Sequence, residues 1–206
     1  MGDREAHVKI EPLSFAHMGG FRALFEAAGS GCFCRFWHFE GNKNEWLDRC
    51  AHRPEENLDE QSRAVKARDP SGSGLVALDD DEVVGWMKLA PRAAMTKLTG
   101  RGIYRGAAVV PDTWVIGCFL VHPEARRRGV ARALAVGAES HVLALGGTTL
   151  EAYPHRASAP LYDEEAWQGP SAMFTALGYT EVDSALGPAE AVPYPLLRKR
   201  LVPEKT

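Results

Sequence analysis

Apolar positions along the chain change period several times, and each change predicts an element. The segment HVKIEPL, 7–13, alternates apolar and polar residues, as a half-buried strand does. From Ser14, a helix N-cap residue, Phe15, Met18, Phe21, Leu24 and Phe25 recur at helical spacing until Gly29 stops them. The stretch GCFCRFWHFEG, 31–41, is aromatic-rich, bounded by glycines and without period, so strand and packed loop both remain open. Residues 44–69 are polar with a helical pattern, broken or restarted at Pro54, and SGSG at 71–74 is a turn. Two apolar runs in 75–91 flank Asp79, Asp80 and Asp81, the pattern of a hairpin with a solvated turn. Residues 92–112 carry glycines and basic residues with little period and read as a long loop with a short helical turn.

The second half opens with TWVIGCFLV, 113–121, a nearly unbroken apolar run that predicts a central strand covered on both faces. His122 and Pro123 end it. A helix follows from about Gly129, with Val130, Leu134, Val136, Ala138, Val142 and Leu145 as its apolar side and Gly146–Gly147 as its stop. Strands are predicted at 148–154, 179–182 and 194–202, and a short helix at 171–178. Residues 155–170 are irregular. No repeat or linker divides the chain, so 1–206 reads as one mixed α/β domain.

Bulk properties narrow the function. Of 206 residues, 45% are hydrophobic and 25% charged, with net charge -3, the mix of an ordinary globular protein. An acidic balance argues against nucleic acid as partner, and no apolar stretch approaches the roughly 20 residues of a membrane span. The N-terminus is charged and lacks an apolar leader, and Ala6 spoils a myristoylation motif, so the cytoplasm is the expected location. Cys32, Cys34, Cys50 and Cys118 are expected to be free thiols. Cys32, Cys34 and Cys50, with His38 and His52, offer an alternative as metal ligands, but Cys-x-Cys is not zinc-knuckle spacing and no metal is expected.

The stretch HPEARRRGVARAL, 122–134, carries the sharpest chemistry. A buried strand runs into a tight turn and a helix begins at Gly129. The first N–H groups of a helix lack partners and its end carries partial positive charge. Gly129 and Ala131 leave room for a ligand to approach that end, and the neighbouring arginines add charge. The spacing alone allows two readings, a phosphate cradle or a capped helix with solvated arginines.

With its flanks, the segment from Val115 to Pro154 resembles the acyl-CoA-binding core of the GNAT acetyltransferase superfamily: Arg126, Gly129 and Ala131 match its signature of Arg or Gln, two residues, Gly, one residue, Gly or Ala. SAMFTALGYTEV resembles the family's later helix, Gly-aromatic turn and strand, and the likeness covers roughly residues 75 to 201. The resemblance implies a mixed, mostly antiparallel central sheet flanked by helices, with two central strands splayed apart. It implies that Arg126, Arg127, Arg128, Gly129, Val130, Ala131 and Arg132 cradle the CoA pyrophosphate, and that the backbone of Phe119, Leu120 and Val121 holds the pantetheine arm. Acetyl-CoA is then the co-substrate and an amine the acceptor, acetylated directly without a covalent enzyme intermediate. Monomer and homodimer both remain open.

Two departures limit the match. The family's acid, a Tyr four residues before the late Gly, is Phe174 here, and the Asn that often precedes that helix is Trp167. Tyr153 and Tyr162 are the nearest phenols. The position of a Glu base on the central strand is Val115, which leaves Asp112 and His122 as candidates beside Glu82 and Glu151. A non-catalytic acyl-CoA sensor is the alternative within the fold. Outside it, the alternative is a metal-binding protein using the Cys32, Cys34 and Cys50 region.

Overall fold

The alternation in the N-terminal segment and the hairpin produces the first half of a sheet. In the computed structural model, which describes residues 8–100, 110–156, 166–182 and 194–201, β1 is Lys9–Pro12, β2 Gly74–Asp79 and β3 Glu82–Pro91. The β2–β3 turn is made by Asp80 and Asp81, both at positive φ (47° and 68°), which matches the twist of a two-residue hairpin. The apolar run forms β4, Thr113–Val121; β5 is Thr149–Ala152, β6 Thr180–Glu181 and β7 Leu197–Arg200. The seven strands are ordered β1-β2-β3-β4-β5-β7-β6, and every neighbouring pair is antiparallel except β4–β5. This is the mixed, mostly antiparallel sheet expected.

Helices cover both faces. A 3-10 turn, Phe15–His17, begins at Ser14 and leads into α1, Met18–Ala27; α2 is Lys43–His52 and α3 Pro54–Ala67, parted at Pro54 as the sequence requires. The short α4 spans Thr96–Gly100, α5 Val130–Ala144 and α6 Ser171–Ala176. One core lies between the sheet and α5 and takes in Val130, Leu134, Ala138 and Val142. A second lies between the other face and α1, with Phe21, Phe25 and Trp86. A third, around Trp37, Val115 and Tyr153, lies on that second face beneath the end of β5.

Three expectations need correction, and one open reading is decided. Phe15 sits in the 3-10 turn and is exposed, and Val136 and Leu145 also face outward, so the apolar side of α5 is narrower than its sequence suggests. Of the two readings open for residues 31–41, the packed loop is the one found: Phe33 and Cys34 take positive φ and a 3-10 turn, Phe36–His38, follows. The aromatic residues of this stretch split, with Phe33 and Trp37 buried while Phe36 and Phe39 flank the Lys97 ammonium at 4.7 and 5.0 Å. Finally, Cys34 and Cys118 are not free thiols but a disulfide, because the loop after α1 folds over β4 and brings together residues 84 apart in sequence. Cys32 and Cys50 remain thiols. Among the described residues no group of three potential ligands could hold a metal ion, and no helix is long and apolar enough to cross a membrane.

Candidate active site

Two irregularities of β4 shape the centre of the molecule. Met87 pairs with Phe119 but Leu89 with Ile116, so β4 carries an extra residue at Gly117–Cys118, a bulge that re-aims the rest of the strand. On its other side β4 pairs with β5 only from Thr113–Thr149 to Ile116–Ala152. Beyond Ile116 the two parallel strands part, which opens a cleft lined by the edge of β4. His122 N–H bonds Val84 O, and alternation along an antiparallel strand puts the polar main chain of Leu120 on that same β3 side. The main chains of Phe119 and Val121 face the cleft instead. Both are partly engaged: Phe119 N–H donates to Trp167 O at 2.6 Å, and Val121 O accepts from Arg126 Nε at 3.4 Å.

The exposed turn after β4 delivers the chain to α5. Gly129 is the N-cap residue at φ 82°, a conformation that costs a side chain dearly, and no side chain caps the helix. A Cβ at Gly129 would have no atom within 4 Å, so open space lies over the helix end. That end is held close to the sheet by Gly85, where a Cβ would lie 2.6 Å from Val130 Cγ1. Arg127 and Arg128 are exposed beside it, and Arg128 also pairs with Asp79 at 3.1 Å. A helix N-terminus with unpaired amides, open space and flanking arginines suits a phosphate.

The remaining candidates fall at different places. Tyr153 follows the last β4–β5 pair, at the apex of the cleft, and is buried in the third core. Its hydroxyl donates to Glu151 Oε2 at 2.7 Å. Glu151 is fully buried, pairs with Val115 across β4–β5, and also accepts from Arg92 at 2.7 Å and from Arg198 Nη2 at 2.6 Å. A buried carboxylate, Glu151, thus stands on the strand next to Val115. Asp112 lies ahead of β4, at positive φ in the turn that enters it, at the opposite end of the strand from Phe119. His122 Nδ1 accepts from Glu124 N–H and caps the short turn after β4. Tyr162 lies outside the described residues. Phe174 is fully buried, with its ring 6.1 Å from Phe119 and 5.2 Å from Tyr179.

Sequence reasoning assigned no role to the Arg92–Glu151–Arg198 network, because its members come from β5, β7 and the turn after β3 and share no local pattern. Trp167 is singled out there only as a departure from the family pattern, and the turn it opens with Gln168 and Gly169 is not foreseen. The carboxylate in the middle of the apolar strand TTLEAYP marks Glu151 in the sequence, but not the two arginines that meet it.

The sequence profile of the acetyltransferase (GNAT) family matches residues 27–166. The chain belongs to the GNAT family. No curated protein matches its sequence. Solved structures extend the likeness to the whole fold. The PaiA N-acetyltransferase of Thermoplasma acidophilum, in complex with coenzyme A, superposes with a TM-score of 0.52 at 13% identity, covering 94% of this chain and 98% of that one. YncA from Salmonella typhimurium, a putative acetyltransferase with its cofactor acetyl-CoA, gives 0.54 at 14% identity over 97% and 96%. The ribosomal-protein-alanine N-acetyltransferase of Brucella melitensis gives 0.53 at 16% over 94% and 99%. This GNAT chain is an acyltransferase by family.

Proposed function

We propose that this GNAT acetyltransferase moves the acetyl group of acetyl-CoA directly to a primary amine. One observation carries the reading: an uncapped helix N-terminus at Gly129 stands at the end of a strand that parts from its parallel neighbour just past Ile116–Ala152. The pyrophosphate suits the helix end, with Arg126, Arg127, Arg128 and Arg132 supplying charge and Val130 and Ala131 their backbone N–H groups. The pantetheine arm suits the cleft along Phe119 and Val121, and this brings the thioester towards the apex. The acceptor then approaches from the face of Trp37 and Tyr153.

The chemistry asks little of the side chains. A neutral amine attacks the thioester carbonyl carbon, the C–S bond breaks with its electron pair leaving on sulfur, and the proton lost by the amine passes to water and so to the CoA thiolate. Holding both reactants in place supplies much of the rate. Tyr153 stands at the apex with its proton directed at Glu151, and its oxygen is assigned the orienting of the attacking amine. The leaving thiolate is a weak enough base to depart without a strong acid, consistent with Phe174 where relatives use Tyr. A panel of small amines, aminoglycosides, peptide N-termini and lysine peptides, assayed for release of free CoA, tests the proposal. Turnover with at least one is expected. Tight acetyl-CoA binding without turnover on any would favour the second reading, an acyl-CoA sensor, which the buried Phe174 supports.

A further inference from the structure

We propose that the Cys34–Cys118 disulfide is a reversible redox site that locks the loop between α1 and α2 over the acceptor side of the cleft, and that a small dithiol releases it. The inference rests on the reading above that an amine reaches the thioester from the face of Trp37 and Tyr153. On that face the structure is shut: Trp37 and Val115 are fully buried and Tyr153 is 1% exposed. An amine gains the apex only if part of the cover moves. Met95 and Leu98 cover it from the segment at α4, and Trp37 covers it from the loop. The Trp37 indole lies so near the β4 bulge that a Cβ at Gly117 would stand 2.6 Å from Nε1. Cys118, the next residue of that bulge, is the one bonded to Cys34 of the same loop.

Two kinds of tie hold the loop. Hydrogen bonds run from Asn57 Nδ2 to Gly31 O at 2.9 Å, from Arg35 Nη1 to Ser71 O at 3.0 Å and from Thr96 Oγ1 to Trp37 O at 3.1 Å. Bonds of this kind break and re-form in local opening. The covalent tie does not, so while it lasts Cys34 cannot leave β4. The backbone at the tie is also constrained. Phe33 and Cys34, neither a glycine, are at φ 39° and 58°, and such conformations persist only where the surroundings impose them. The tie is open to exchange at one end, since Cys34 is 1% exposed while Cys118 is half-buried. A thiolate from solution attacks the Cys118 sulfur, and the Cys34 sulfur leaves with the bonding pair and takes a proton. The second thiol of the reductant then displaces Cys118, which becomes a thiol as the reductant closes into its own disulfide. The chain's other cysteines do not compete. Cys32 Sγ accepts from Cys34 N–H at 3.4 Å, but burial raises its pKa, and burial pushes Cys50 up to about 11, so both stay protonated.

Excess dithiothreitol tests this on the wild-type chain. Alkylation and mass spectrometry should count the two thiols freed from the disulfide. Hydrogen exchange at the amides of residues 33–39 should quicken about tenfold or more as the loop opens. For an amine accepted from the panel above, kcat/KM, read as acetylated product by mass spectrometry, should rise about tenfold or more, because a closed state lowers apparent affinity by the fraction that is open. Calorimetric CoA affinity should stay unchanged. Cys34→Ser should show the fast exchange and the higher rate with or without dithiothreitol, and Cys50→Ala should keep the response. No freed thiols, or freed thiols with exchange at 33–39 and amine kcat/KM unaltered, overturn the proposal. An equal change in CoA affinity overturns it too, since the bond would then act on the nucleotide side. Faster exchange with no amine acetylated in either state would defeat the transfer reading and leave the redox lock standing.

Discussion

Gly129 and Tyr153 bear the reading at the scale of single residues, and each can be changed with a defined outcome. Because Gly129 is at φ 82° with nothing near a Cβ, valine there would meet backbone strain rather than a clash. Asparagine tolerates this region of φ and so separates folding from binding. Gly129→Asn should keep the thermal midpoint within a few degrees while weakening CoA and adenosine 3′,5′-bisphosphate alike by tenfold or more, as seen by calorimetry. Loss confined to the pantetheine arm would place the phosphate elsewhere. Tyr153→Phe removes the hydroxyl between the cleft and Glu151. If that oxygen orients the amine, kcat should drop by about 10²-fold, at the lower end of proton-transfer assistance, with acetyl-CoA KM little changed. A normal turnover number would exclude it. The glycine was legible from the signature because its role is local. The partner of Tyr153 was legible only in kind, since nothing in the sequence says that Glu151, two residues earlier, also meets Arg92 and Arg198 from elsewhere in the sheet.

Among the elements, α5 and β4 do most to shape the groove, and the seat of α5 on the sheet is a point where geometry can be tested. Gly85 lets Val130 at the start of α5 lie against β3. In Gly85→Ala the new methyl would need space 2.6 Å from Val130 Cγ1, so the valine and the helix end must shift. Overpacking of this kind costs about 1–3 kcal/mol. A lower urea midpoint together with weaker CoA binding is expected; a fall in stability with unchanged affinity would show that α5 keeps its end in place. Element by element, strands with strict alternation and helices with apolar stripes were readable. Residues 31–41 were not, because aromatic content without period leaves the backbone undetermined and left-handed Phe33 and Cys34 follow from packing, not propensity. Val136 and Leu145 misled for the converse reason: apolar residues at helical spacing need not all be covered.

Over the whole molecule, buried ionisable groups tie stability to pH. His38 is pushed down to about 3, first by burial and then by the nearby charges of Lys88 and Arg35. In the unfolded chain it titrates near 6.5. Below that value the unfolded state holds a proton that the folded state refuses, so stability is lost as pH falls from about 6.5 towards 3, with an upper bound of about 1.4 kcal/mol for each pH unit crossed. Chemical denaturation at pH 7.5 and 4.5 should show a larger loss for wild type than for His38→Asn. Equal losses would assign the acid sensitivity to other groups. Lys88 is fully buried, with its ammonium on Ser71 O beside Arg35, and burial holds its pKa well below the ordinary value. Lys88→Met is therefore expected to raise the thermal midpoint at pH 7, and the gain should shrink as pH approaches 10.5, where the unfolded lysine also gives up its proton. These couplings were invisible in the sequence, where Lys88 looks like any strand lysine.

The bond between Cys34 and Cys118 also turns part of the polypeptide into a closed ring spanning 84 positions. Cutting one peptide bond inside that ring opens the loop but does not divide the molecule. After limited proteolysis between the two cysteines, fragments on both sides of the cut should migrate together on a denaturing gel, and separate only when a thiol reductant is added to the sample.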